Sequence, residues 1–156
     1  VINKIGSSAV ALGFLFAMSG PGHAAPCNAA NSIAKIKNTS SGNFEYVVFD
    51  FIKPPTLPNY SVTTAVPPFV HDASGNIITV NGSKFKKVRF QGVVWTCSIQ
   101  EALTLPKTAI KDIKNIGQFE GVITYAIGYR ASSLYQGTYS YNGSASVRKI
   151  VLKFKK

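Results

Sequence analysis

The sequence predicts an all-β fold, a compact antiparallel β-sandwich of about eight short strands. Three observations carry this expectation. From Ile33 onward the chain is rich in Val, Ile, Thr, Phe and Tyr, residues that suit a pleated, half-buried surface. Gly, Pro, Asn and Ser interrupt it at short intervals, as turns between short strands require. No long stretch repeats apolar residues at helical spacing.

The elements follow in order. Ser32 to Lys37 reads as a first short strand, and Thr39 to Asn43 as a turn. Phe44 to Ile52 (Phe-Glu-Tyr-Val-Val-Phe-Asp-Phe-Ile) is a strong central strand. Lys53-Pro54-Pro55 stops it, because proline lacks the ladder donor. Asn59 to Val66 is another strand, closed by Pro67-Pro68. His71 to Asn76 is a loop of turn formers. Ile77–Val80 and Phe85–Trp95 flank Asn81-Gly82, a pair that favours a tight primed turn and so predicts a hairpin. Ser98 to Thr108 reads as a loop with a helical turn. Lys111–Ile116, Glu120–Tyr129, Gln136–Tyr141 and Val147–Phe154 complete the strands. In Glu120–Tyr129, Ile123, Tyr125, Ile127 and Tyr129 share one face.

Residues 1–25 read as a secretory signal peptide. Lys4 supplies the positive start, and Ala9 to Met18 the apolar run of ten residues. A bilayer span needs about 20, so no transmembrane segment is expected after cleavage. Gly22-His23-Ala24 fits the small-x-small cleavage pattern. Residues 26–31 are then a flexible lead, and residues 32–156 the domain. The formal net charge is +11, and loss of Lys4 makes it +10. Such an excess points to polyanions. For an exported protein these are wall polymers, anionic headgroups or lipopolysaccharide, and export argues against nucleic acid. The two cysteines of the mature part, Cys27 and Cys97, lie 70 positions apart. Export permits a disulfide between them. Trp95 beside Cys97 reads as a core aromatic packed near it.

Three blocks carry a resemblance. Gly42-Asn43-Phe44-Glu45-Tyr46-Val47-Val48-Phe49-Asp50-Phe51 is followed by Leu57-Pro58-Asn59-Tyr60-Ser61-Val62. Asp72-x-Ser74-Gly75 precedes Ile78-x-Val80-x-Gly82. The third block is Gly117-Gln118-Phe119-Glu120-Gly121-Val122, ending at Gly128. Together they resemble the AMIN-like domain over roughly Ser32 to Phe154. Tyr46 stands where that family carries a basic residue, and Gln118 where it carries Asp. The resemblance implies an exported bacterial β-sandwich, secreted or held in the envelope or periplasm, related to domains associated with peptidoglycan binding.

Catalytic chemistry finds little support. One histidine, His71, remains after signal removal, in a turn-rich loop beside Asp72. A nucleophile–base site needs a base oriented by a second group and facing the nucleophile, and a sequence-adjacent Asp points elsewhere. Glu45 and Glu120 sit on strong strands and read as ion partners on strand faces. No metal motif or phosphate-cradling loop is present, so no catalytic residue, metal or cofactor is assigned.

The binding candidates are aromatic and basic. Tyr125, Tyr129 and Tyr139 are the candidates to offer rings and hydroxyls to a ligand, with Tyr135 and Tyr141 nearby, unless they pack the sandwich and leave their hydroxyls at the rim. Lys84, Lys86, Lys87 and Arg89 form one basic patch, and Arg148, Lys149, Lys153, Lys155 and Lys156 a second. If their strands neighbour each other, the patches make one footprint. The expected function is a non-catalytic envelope-binding module for peptidoglycan, another cell-wall polysaccharide or an anionic wall polymer. The alternatives are an exported enzyme with an unrecognised site and a secreted basic effector acting on membranes.

Overall fold

Side chains alternate across a strand, so a strand apolar at every second position must bury one face. The computed structural model shows ten strands among the residues it describes, which are 29–52, 56–94, 96–97 and 108–156. They are β1 (Ile33–Ser41), β2 (Phe44–Ile52), β3 (Asn59–Ala65), β4 (Phe69–Val70) and β5 (Ile77–Ile78). Then come β6 (Lys84–Gln91), β7 (Ile110–Phe119), β8 (Val122–Tyr129), β9 (Leu134–Ser144) and β10 (Val147–Lys155). A front sheet has the order β1-β2-β10-β9, and a back sheet the order β3-β6-β8-β7. Every pairing within these sheets is antiparallel. The surplus over the expected eight strands is the short pair β4–β5.

The two sheets bury one core. Val47, Phe49 and Phe51 of β2, with Ile150, Leu152 and Phe154 of β10, supply its front half. Val88, Phe90, Ile113, Ile123, Tyr125 and Ile127 supply its back half. Phe49 packs on Phe90 at 4.9 Å between ring centroids and on Tyr125 at 5.3 Å. Each large side chain so buried stabilises the fold by roughly 1.5–3 kcal/mol. The two sheets are also joined by a polar clasp. Glu45, 1 % exposed, accepts from the backbone N–H groups of Thr108, Ala109 and Ile110 at 3.0, 3.0 and 2.8 Å. That carboxylate holds β2 to the start of β7, which is a structural task.

A second, smaller core lies on the outer side of the back sheet. Phe69, Val80, Ile116 and Ala126 form it, with Phe85 against Phe69 at 5.2 Å. Ile116 reaches this layer through a register shift between Asn115 and Gly117, since a bulge re-aims a side chain.

One expected hairpin is corrected. Asn81-Gly82 does not join β5 to β6, because β5 pairs with β4 and both edges of β6 are taken by β3 and β8. Asn81 is instead held by Asp112, whose Oδ2 accepts from its backbone N–H at 3.0 Å and its Nδ2 at 3.2 Å. Gly82, at φ 154°, lies so close to Gly128 that a Cβ would approach its Cα to 2.8 Å. The tight primed turn sits elsewhere, at Glu120-Gly121 between β7 and β8, with φ of 47° and 76°. Glu120 is therefore an exposed turn residue and does not face Glu45. The expected boundary at Pro54-Pro55 and the loop expected over 98–107 lie outside the described residues.

Candidate functional site: an aromatic and basic face

The outward residues of the front sheet can be read row by row from its register. Thr39, Tyr46, Lys153 and Gly137 form one row across β1, β2, β10 and β9. Lys37, Val48, Val151 and Tyr139 form the next. Lys35, Asp50, Lys149 and Tyr141 form the third. These rows enclose a shallow hollow of about 210 Å³, lined by Thr39, Ser41, Tyr46, Val48, Tyr139, Tyr141 and Val151. Val48 and Val151 are its covered floor, at 5 % and 2 % exposure. The rings of Tyr139 and Tyr141 are stacked, 6.2 Å apart and 22° between planes, and both remain about half exposed. Gly137 carries no side chain and leaves open space at the end of the first row.

The phenols act on one another. Burial first, then the nearby Tyr46 and Tyr141 phenols, push the Tyr139 hydroxyl above its usual range. Three tyrosines line this one hollow. The charges around them are one-sided. Asp50 is the sole carboxylate of these rows, and it is engaged by Lys149 at 2.6 Å and Lys37 at 3.6 Å. Lys153 sits over the Phe44 ring at 3.8 Å, and Lys155 pairs opposite Phe44.

The expected ligand residues separate into three places. Tyr139 belongs to this hollow. Tyr125 and Tyr129 are corrected: at 0 % and 6 % exposure both rings sit in the core, because their face of β8 is the one turned inward. Burial raises the Tyr129 phenol above its usual range. Lys84, Lys86, Lys87 and Arg89 lie on β6 of the back sheet, and β10 is paired only with β2 and β9. The two basic patches are therefore not strand neighbours. Lys86 is further occupied by Thr64 Oγ1 at 2.9 Å and by the Tyr135 ring at 4.9 Å.

Tyr46, Phe44 and Lys37 belong to the site and were not singled out as ligand residues from the sequence. The signal was available in the alternation of Phe44, Tyr46, Val48 and Asp50 along β2. Tyr46 occupies the position where the AMIN-like pattern has a base, and Lys153 directly opposite returns a cation to that row.

His71 does not form a catalytic pair with Asp72. Its Nδ1 accepts from the backbone N–H groups of Ala73 and Ser74, both at 3.3 Å. Asp72 instead lays its carboxylate against Gly117, where a Cβ would collide with it. Among the described residues no group of three His, Cys, Asp or Glu is placed to hold a metal, and no helix is long and apolar enough to cross a membrane. Cys97 is buried and donates its backbone N–H to Ile33 at 3.1 Å. Cys27, Trp95 and the signal segment lie outside the described residues.

The family model of the AMIN-like domain matches residues 31–152. The chain belongs to the AMIN-like domain family. The match runs from the residues just before β1 into β10, so it takes in both sheets. Its membership marks the chain as a module associated with the cell envelope. No curated protein and no solved structure matches it.

Proposed function

We propose that this AMIN-like domain is an exported, non-catalytic module that holds acidic glycan, peptidoglycan or an anionic wall polymer, on the outer face of its front sheet. One observation carries the reading: three tyrosines converge on a hollow whose surrounding lysines outnumber a single carboxylate that is already engaged. Sugar rings stack their apolar faces on aromatic rings and hydrogen-bond to phenol hydroxyls. Surplus lysines attract and retain the acidic groups of the polymer. The exposed strip is made of tyrosines, with its aliphatic residues covered. That favours a hydroxyl-rich ligand over lipid chains.

A disulfide between Cys27 and Cys97 is part of this proposal. No free cysteine occurs among the described residues, and closing a loop of that length stabilises a fold by about 4 kcal/mol. Two reactive thiols per chain in unreduced, denatured protein would remove the bond from the picture. The binding reading is tested by retention of the purified protein on intact sacculi, with anionic vesicles in parallel. Retention on sacculi that weakens with salt and drops on Tyr139→Ala is expected. Retention on vesicles alone would replace the glycan by a membrane.

A further inference from the structure

The back sheet carries a groove that the glycan reading does not use. Arg89 and Lys87 point outward from β6, two residues apart and hence on one face. Arg89 is paired across the sheet with Thr124 of β8. The β4 segment stands over them and leaves two adjoining hollows of about 380 and 480 Å³. Asp72, Arg89 and Thr124 line both hollows. Lys87 also lines the first and Glu120 the second.

The charges in this groove are balanced in sign yet not joined. Among the described residues Arg89, Lys87, Asp72 and Glu120 make no ion pair, although acids and bases line the same walls. Asp72 holds its carboxylate against the backbone of β7. Its backbone N–H donates to Ile116 at 3.1 Å, and its carboxylate rests where a Cβ of Gly117 would sit. The fork of a guanidinium suits a carboxylate or phosphate oxyanion bidentately. A carboxylate with no ion partner of its own suits an ammonium group.

We propose that this groove binds a small zwitterion, its oxyanion at Arg89 and Lys87 and its ammonium group at Asp72, with Thr124 beside the join. The inference does not rest on the front sheet or its ligand. Two sources share this chemistry, a peptide with free ends and an aminoalkyl phosphate. The test follows backbone amide shifts of the isotope-labelled protein during titration. The probes are alanyl-alanine, N-acetyl-alanyl-alanine, alanyl-alanine amide and O-phosphoethanolamine. Saturable shifts at Asp72, Arg89 and Thr124 are expected with alanyl-alanine or O-phosphoethanolamine, and the tighter of the two names the source. Blocking either end of the dipeptide should weaken binding about ten-fold. Arg89→Gln should weaken it similarly, and Asp72→Asn should abolish the preference for a free amine. Both positions are on the surface, and unchanged shifts in the core strands confirm that each variant folds. No saturable shift with either zwitterion, equal binding of the blocked dipeptides, or full affinity in Arg89→Gln would overturn the proposal.

Discussion

The front and back sheets share one core and meet solvent in different ways. On the front sheet the lone carboxylate of the central rows, Asp50, is taken up by Lys149 and Lys37, so these rows hold no carboxylate for the remaining lysines. On the back sheet a short strand pair roofs part of the surface over its own apolar cluster, and the open part holds acids and bases that do not touch. A net charge of +11 describes neither surface. What separates the front hollow from the back groove is whether the fold brings a carboxylate onto a cation there.

Four changes would break or sharpen this contrast. The largest acts on what holds the sheets back to back. Glu45→Ala leaves three backbone N–H groups without their acceptor. At about 1–3 kcal/mol for each buried orphan, the loss should reach 3 kcal/mol or more in denaturant unfolding, and both faces should fail together. Glu45→Gln, which keeps an acceptor oxygen, should lose less. A variant as stable as the parent would mean that the clasp contributes nothing.

Next is the contrast itself. Tyr46→Ala with Tyr139→Ala should lower sacculus retention about thirty-fold, since each stacking ring contributes on the order of 1 kcal/mol. Lys87→Gln with Arg89→Gln should leave retention near the parent level. Equal losses in the two pairs, measured in one pelleting series, would dissolve the distinction between the faces.

A smaller effect lies in alkaline titration. The Tyr139 phenol is raised in the fold above its ordinary value of 10.0. The unfolded chain therefore gives up that proton first as pH rises. The associated stability is present below pH 10 and is lost as pH climbs through the raised value. Absorbance of tyrosinate should show a late component, shared with Tyr129, that Tyr139→Phe reduces. An unchanged titration curve would show that the three phenols do not meet. The smallest effect is at Lys153, whose ammonium lies over Phe44. Lys153→Gln should cost about 0.5–1 kcal/mol of stability, and a loss within measurement error would leave Lys153 to the ligand alone.

Much of the architecture was legible because alternation is a local signal. β2 runs from Phe44 to Ile52 as expected, and the shared face of Ile123, Tyr125, Ile127 and Tyr129 is real. What alternation does not state is which face turns inward. That ambiguity sent Tyr125 and Tyr129 to a ligand when they fill the core. Turn chemistry misled in a related way. Asn81-Gly82 has the stronger primed-turn composition, but its strands had other neighbours. Glu120-Gly121 makes the turn because β7 and β8 pair along almost their whole length. The front site needed β10 beside β2, a pairing some 100 positions apart in the chain, and no local pattern reports it. Tyr46, Lys153 and Tyr139 are scattered in sequence and meet only through that register.

The Glu45 clasp also has a consequence in time. Strand ends usually fray, and their amides trade protons with water through small local openings. Thr108 and Ala109 precede β7, so their amides would ordinarily exchange quickly. Here each is held by a carboxylate seated between the sheets. Releasing them requires β2 to give up a buried group. Their exchange should therefore run as slowly as that of the central strands and report opening of the whole sandwich, so that β7 begins without a frayed end.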